Sequence, residues 1–116
     1  MIIGIGIDIL EKKRITNINN KYGYFFEKKI LNNIEINQCK NSKKKITNLA
    51  KLFSLKEAFI KSLGTGFIKN FSFKKIKIKH TKLGKPIIKK KNIKIYTSIS
   101  HEKNIIIALA ITKINN

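Results

Sequence analysis

Several residue types are scarce in this sequence, and each scarcity excludes a class of protein. A single cysteine, Cys39, leaves no partner for an intramolecular disulfide and cannot supply a cysteine-cluster metal site. No apolar run approaches the roughly 20 residues that a membrane-spanning helix needs, and no signal peptide is visible after Met1. These absences predict a cytoplasmic protein that is not held in a membrane.

Acidic residues are also scarce. Asp and Glu number 6 against 26 Lys and Arg among the 116 residues, which gives a formal net charge of +20. The abundant residues, Lys, Ile and Asn, are those of A/T-rich codons, whereas Val and Trp are absent. The charge therefore has two interpretations: compositional drift toward lysine on solvated faces, or a polyanionic partner, which could be a nucleic acid, a membrane surface, a phosphorylated ligand or an acidic protein.

No internal repeat and no linker rich in Pro, Gly or Ser interrupts the chain, so residues 1–116 are expected to form one domain. The first segment, Ile2–Leu10, alternates like a strand, with Gly4, Gly6 and Asp8 on one face. Glycine weakens a strand unless another backbone or a ligand must come close. This face is therefore expected to meet one or the other.

Helices are predicted next. A helical region runs from about residue 12 to residue 41, with breaks near Asn20 and Asn32, and Asn32 with Glu35 has the spacing of a capping box. A longer helix covers roughly Ile46–Leu63 and is closed by glycine.

The remaining chain alternates like strands. Residues 71–79 and 93–100 show this pattern on either side of a turn at Gly84-Lys85-Pro86. The last strand, Ile105–Ile114, is apolar at nearly every position and is expected to be central and buried on both faces. Helices grouped between a first strand and later strands predict an α+β fold.

Two carboxylates stand out from this pattern. Glu57 falls in the middle of the apolar arc of the long helix, and Asp8, the only Asp in the chain, ends the glycine face of the first strand. Two such carboxylates could share Mg²⁺, which typically takes one or two protein carboxylates and completes its shell with water and phosphate oxygens. The simpler alternatives are an ion pair of Glu57 with Lys61 four residues later, and a helix-capping role for Asp8.

Two further segments carry polar groups suited to chemistry. Gly64-Thr65-Gly66 could let backbone N–H groups approach phosphate, or could simply end the helix. Ser100 and His101 close a predicted strand, but the chain has no nucleophile elbow and no second Asp to complete a hydrolase triad.

Taken together, these residues resemble the holo-[acyl-carrier-protein] synthase family, the small 4′-phosphopantetheinyl transferases. The resemblance covers nearly the whole chain in order, and it is carried by the following segments: Gly4-Ile5-Gly6-Ile7-Asp8-Ile9-Leu10-Glu11, Phe53-Ser54-Leu55-Lys56-Glu57-Ala58-Phe59-Ile60-Lys61-Ser62-Leu63-Gly64-Thr65-Gly66, Leu83-Gly84-Lys85-Pro86 and Ser98-Ile99-Ser100-His101. It implies a small antiparallel sheet packed with a long helix, and transfer of phosphopantetheine from coenzyme A to a serine of an apo acyl carrier protein in support of fatty acid biosynthesis. The co-product would be adenosine 3′,5′-bisphosphate.

The resemblance also implies residue roles. Asp8 and Glu57 would hold Mg²⁺ against the pyrophosphate of coenzyme A, and Lys61 would contact the same phosphates. A second group would complete the coenzyme A site: Gly64, Thr65, Gly66 and Pro86, together with Ser100 and His101 reaching over from a neighbouring subunit of a homotrimer. Arg14 would dock the acidic carrier protein. The general base, a carboxylate or a water, is not assigned.

The chain departs from the family pattern in three places. Leu52 stands where the family usually has an arginine before the aromatic residue. Residues 87–92 are too few for the helix that usually follows the Gly-x-Pro turn, and Lys75 and Lys77 replace usual acids.

Two other hypotheses remain open. A small basic nucleic-acid-binding protein would explain the charge, but it leaves Glu57 unexplained, and no RNA-recognition signature is present. A carrier-binding module that has lost activity would fit Leu52 and the shortened segment. Only the enzyme should depend on Asp8 and Glu57 for turnover.

Overall fold

The computed structural model describes residues 1–64 and 72–115. In chain order the elements are β1 (Ile2–Glu11), α1 (Lys12–Tyr22), α2 (Tyr24–Ile30), α3 (Asn33–Lys40), α4 (Lys45–Leu63), β2 (Ile78–His80), β3 (Pro86–Ile88), β4 (Ile93–His101) and β5 (Ile105–Ile114). The α+β class is confirmed. None of the helices in these two ranges is long and apolar enough to cross a membrane.

Three strands form an antiparallel sheet in the order β1-β5-β4, and β2 and β3 form a separate hairpin. The helix α4 lies across one face of the sheet, where it meets β1 and β5. The hairpin is tied to the sheet by the Thr97 hydroxyl, which donates to the Pro86 carbonyl at 2.8 Å. The core surrounds α4: besides residues of α4 itself, it contains buried residues of β1 and β5, of the three shorter helices and of the hairpin.

The glycine face of β1 is explained by the backbone of α4. A Cβ atom at Gly6 would stand 1.9 Å from the carbonyl oxygen of Ala58, and one at Gly4 would stand 1.7 Å from that of Ser62. No side chain fits in that space. The sequence left a backbone or a ligand as the close neighbour of these glycines, and the structure identifies the helix backbone.

The helices agree closely with their predicted positions. The capping box is present: the Asn32 side chain accepts from the Glu35 N–H at 2.9 Å, and Glu35 Oε1 accepts from the Asn32 N–H at 3.1 Å. The first break falls at Gly23 rather than near Asn20, because Gly23 has a positive φ of 53° that glycine adopts without strain. The long helix ends at Gly64, as predicted.

The last strand is central, as predicted, but the prediction that both its faces are buried is wrong. Only the residues facing α4 are buried, and Ile105 and Ile107 are each 39% exposed. The reason is that a helix covers one side of the sheet only. The other side, called the outer face below, carries isoleucines of β1 and β5: Ile3, Ile5, Ile7, Ile9, Ile105 and Ile107.

The segment after α4 also differs from its prediction. Phe73–Lys75 forms one turn of 3₁₀ helix rather than a strand, and β2 is limited to three residues; Phe71 lies outside the described residues. The Phe73 ring stacks on Phe53 with centroids 5.6 Å apart, a tertiary contact that alternation cannot reveal. The expected loss of a helix after the Gly-x-Pro turn is confirmed, since a short strand and a turn occupy residues 86–92.

The close approach of α4 to β1 makes Gly6 a sensitive position. We expect Gly6→Ala to lower the free energy of unfolding by about 3 kcal/mol, because a methyl group there overlaps a helix carbonyl that cannot move independently. Urea denaturation measures this. Gly84→Ala is the matched control: it lies in an exposed turn with φ of 89° and nothing within 4 Å, so only backbone strain of about 1 kcal/mol applies. Equal losses in the two variants would contradict the packing argument.

Candidate active site

The candidate site begins with two carboxylates, Asp8 on the inner face of β1 and Glu57 in the middle of α4, which are close enough to influence each other's charge. Asp8 is 9% exposed, and its Oδ2 atom accepts a hydrogen bond from the Ser54 hydroxyl at 2.8 Å. Its Oδ1 atom accepts from Lys61 Nζ at 3.1 Å. Asp8 is thus held between two donors of the same helix, seven residues apart and on one side of it.

Lys61 pairs with Asp8, whereas helix spacing suggested a pair with Glu57. Its ammonium lies 3.1 Å from Asp8 Oδ1 and also donates to the Ile7 carbonyl at 3.2 Å, and half of its side chain is exposed. The described ion pairs therefore leave the Glu57 carboxylate without a cation of its own. Asp8, for its part, bonds to α4 and does not cap the helix that follows β1.

Glu57 is half-buried, and its surroundings disfavour its charge. Burial raises the pKa of Glu57, and the neighbouring Asp8 carboxylate raises it further, although Lys61 and Arg14 act in the opposite direction. A half-buried carboxylate that lies beside a second carboxylate, and has no ion-pair partner among residues 1–64 and 72–115, is suited to receive a cation. No group of three or more metal-ligating side chains occurs in residues 1–64 and 72–115, so Asp8 and Glu57 stand as a pair.

A basic cluster lies near the end of β4. His101 is fully exposed, and its pKa is lowered chiefly by the charge of Lys51, with Lys12 and Lys44 contributing. The pKa of Lys51 is lowered in turn by partial burial and by Lys12 and Lys44. Glu102 acts in the opposite direction on His101, but the cationic groups outweigh it, since the net shift of the His101 pKa is downward. An excess of positive charge in one region favours an anionic ligand.

A cavity of about 310 Å³ opens beside this cluster, between α3, α4 and the β2–β3 hairpin. Its lining includes Lys51, Leu52, His80, Pro86 and Ile99. Leu52 is 5% exposed and forms part of the apolar wall, so the position where the family usually has arginine offers no charge to a ligand. The neighbouring Lys51 provides a cation at the rim instead.

The other predicted site residues are distributed around these two regions. Gly64 ends α4, its N–H donating to the Lys61 carbonyl, while Thr65 and Gly66 lie outside the described residues. Pro86 is buried at the cavity, and Ser100 lies exposed opposite Ile107 on the outer face. Arg14 is exposed on α1, close enough to Glu57 to lower its pKa.

Sequence reasoning missed two residues that hold this arrangement. Lys56 is fully buried and donates to Glu35 Oε1 at 2.6 Å and to the Ile30 carbonyl at 2.7 Å. Ser54 is fully buried against Asp8. The spacing of Ser54, Ala58 and Ser62 was a usable signal, because small side chains four residues apart mark a helix face that packs closely.

Comparison with known proteins places this arrangement in a family. Residues 4–110 match the model of the 4′-phosphopantetheinyl transferase superfamily. The chain is 41% identical over 122 residues to the holo-[acyl-carrier-protein] synthase of Halothermothrix orenii, covering 96% of this chain and 97% of that protein.

Solved structures give the same result. The crystal structure of the holo-[acyl-carrier-protein] synthase of Neisseria meningitidis superposes with a TM-score of 0.89 at 35% identity, covering 97% of this chain and 99% of that one. The Bacillus anthracis synthase, in complex with CoA (3′,5′-ADP), gives a TM-score of 0.89 at 36% identity and covers 99% of both chains. Sequence, fold and the paired carboxylates agree, and the chain belongs to the 4′-phosphopantetheinyl transferase superfamily.

Proposed function

We propose that this protein transfers the 4′-phosphopantetheine group of coenzyme A to a serine hydroxyl of an apo acyl carrier protein, in support of fatty acid biosynthesis. The serine oxygen forms a bond to the phosphorus that carries pantetheine, and the bond from that phosphorus to adenosine 3′,5′-bisphosphate breaks. The observation that carries the proposal is the convergence of Asp8, Glu57 and Lys61, in a chain 41% identical to a holo-[acyl-carrier-protein] synthase.

Asp8 and Glu57 are the residues that would hold Mg²⁺. Both offer the oxygen ligands that Mg²⁺ prefers, and two carboxylates leave positions for water and substrate phosphates. The raised pKa of Glu57 fits this role, since a bound cation would offset the effect of Asp8 and of burial. When bound, the ion would supply neutralisation of negative charge on the pyrophosphate.

The chain's own residues supply the rest of the phosphate binding. Lys61 has an ammonium beside Asp8 with half of its side chain exposed, so it can contact the pyrophosphate. The nucleotide end of coenzyme A would have its phosphates bound by the basic cluster of Lys12, Lys44, Lys51 and His101. The cavity beside this cluster would bind the adenosine. Gly64, with Thr65 and Gly66, would line the pyrophosphate. Phosphoryl transfer depends mainly on this positioning and charge neutralisation.

The carrier protein would meet the face that bears Arg14. The Arg14 guanidinium is exposed on α1, near Glu57. Because acyl carrier proteins are acidic, this exposed cation suits their surface. The net charge of +20 would attract an acidic partner over a distance and speed encounter. We place the reaction in the cytoplasm, and no observation on the site favours nucleic acid as the partner.

A homotrimer is the assembly we propose, with the outer face of the sheet at its interface. Ile5, Ile7 and Ile9 are each more than 60% exposed, and they adjoin the isoleucines of β5. A contiguous apolar face of this kind is typical of a surface that packs against another chain. Ser100 lies on the same face, where a neighbouring subunit could use it.

Transfer tests the enzyme directly. We expect an apo acyl carrier protein, incubated with this protein, coenzyme A and Mg²⁺, to gain the mass of one phosphopantetheine, and to gain nothing with EDTA. Asp8→Asn and Glu57→Gln should each lower the rate at least about a hundred-fold while the protein stays folded, because each removes a carboxylate ligand of the cation that would neutralise the transferring group. Glu27→Gln is the control, since Glu27 is a buried carboxylate paired with Lys45 outside the site. Absence of mass gain with a folded sample would reject the enzyme and leave an inactive carrier-binding module.

The interface can be tested by light scattering. We expect a mass three times the 13.4 kDa of one chain, with Ile7→Lys reducing it to one chain, because it places a charge in the middle of the apolar outer face. Ile34→Lys is the control, since Ile34 is 70% exposed on α3, away from that face. A single-chain mass for the unmodified protein in physiological salt would contradict the trimer.

The basic cluster predicts an anion-sensitive histidine. The pKa of His101 should lie below 6.5 and should rise when adenosine 3′,5′-bisphosphate binds or when Lys51→Ala removes its main cause. Because the unfolded chain binds this proton first as the pH falls below about 6.5, the free energy of unfolding should decrease in that window.

Proton NMR titration, with His80→Gln to assign the second histidine, follows this pKa. Lys82→Ala is the control, because Lys82 does not contribute to the shift. A His101 pKa that responds to neither the nucleotide nor Lys51→Ala would show that the cluster is not an anion site.

A further inference from the structure

The Ser54 hydroxyl has a placement that the family motif does not explain. Ser54 is fully buried within α4, and its Oγ donates to Asp8 Oδ2 at 2.8 Å. Serine inside a helix commonly donates to the carbonyl four residues earlier. Here the donor is directed across the helix–strand interface to the carboxylate.

The backbone fixes the distance between these two groups. One turn further along α4, Ala58 lies against Gly6 with no room for a Cβ atom on the strand. Helix and strand therefore cannot shift apart or slide without breaking this contact. Ser54 stands one turn before Ala58, opposite the next inward-facing residue of β1, which is Asp8.

The hydrogen bond from Ser54 gives the two oxygens of the Asp8 carboxylate different surroundings. Oδ2 is occupied by Ser54 in the interior, and Oδ1 faces the half-exposed Lys61 ammonium at 3.1 Å. Without the hydroxyl, the side chain of Asp8 could rotate and present either oxygen. The hydroxyl thus selects one orientation and leaves Oδ1 on the open side.

We propose that Ser54 is a positioning residue for the cation site: it binds Asp8 Oδ2, so that Asp8 presents Oδ1 to a divalent cation shared with Glu57. This inference rests on the proposed function, because it assigns the cation to that site. Ser54 does not touch substrate; it acts only through Asp8.

The chain supplies a matched control for this residue. Ser62 is also buried on α4, two turns later, but it bonds to the Phe59 carbonyl and to the Thr112 hydroxyl. Ser62→Ala makes the same chemical change in the same helix without touching Asp8. A general loss of packing would appear in both variants, whereas a loss of cation positioning would appear in one.

The probe is MnCl₂, alone and with saturating coenzyme A, and free Mn²⁺ is measured by electron paramagnetic resonance. We expect Ser54→Ala to weaken Mn²⁺ binding about ten-fold, as removal of a group that orients a metal ligand typically does. The KM for Mg²⁺ in the transfer assay should rise by a similar factor, and kcat should recover at saturating Mg²⁺. Ser62→Ala should leave both values unchanged, whatever its melting temperature.

The outcomes separate this inference from the proposed function. Suppose that the unmodified protein transfers phosphopantetheine and that the Ser54→Ala variant binds Mn²⁺ as tightly as the unmodified protein. The proposed transferase activity then stands, and the role of Ser54 is overturned. Equal weakening in Ser54→Ala and Ser62→Ala also overturns it, since the effect is then one of packing. An unmodified protein that neither binds Mn²⁺ nor transfers the group overturns both.

Discussion

The structure depends first on the contact between the backbones of β1 and α4. Glycines at positions 4 and 6 let the helix carbonyls of Ser62 and Ala58 come closer to the strand than any side chain would allow. A strand and a helix that meet this closely share one fixed alignment, because any displacement creates an overlap. The alignment brings Asp8 opposite Ser54 and within reach of Lys61. The two glycines thus set the geometry of the charged groups without carrying any chemistry themselves.

On the other side of α4, a buried ion pair fixes the helix relative to its neighbours. The Lys56 ammonium and the Glu35 carboxylate are both fully buried, and Glu35 also accepts from the N–H of Ile78 in β2. One carboxylate thereby joins α3, α4 and the hairpin. Burial lowers the pKa of Lys56, which the hydrogen bond to Glu35 counteracts. Removing either partner of such a pair leaves a charge with no compensation in the interior, which is why it constrains the fold more strongly than a surface pair.

The sequence predicted those features that depend on local pattern. The alternation in β1, the capping box at Asn32, the extent of α4 and its end at Gly64 all follow from neighbours in sequence. The sequence could not predict features that depend on which element, distant in sequence, packs against a given residue. Helix spacing favoured Glu57 as the partner of Lys61, but β1 brings Asp8 closer to it. The interior position of Lys56 was missed because an isolated lysine in a sequence with 26 basic residues carries no sign of its buried partner. The exposure of one face of β5 was missed, because an apolar strand does not reveal whether a helix of the same chain packs on each of its two faces.

The three attachments of Glu35 have a consequence for the order in which the molecule folds. Its bond to Asn32 spans three residues, that to Lys56 spans 21, and that to Ile78 spans 43. Closing a longer loop costs more chain entropy, so the local bond can form before either of the others. The carboxylate that caps the start of α3 can therefore be in place before α4 and the hairpin reach it. The capping bond by itself does not bury Glu35; the packing of α4 buries the carboxylate and brings Lys56 as its compensating charge in the same step.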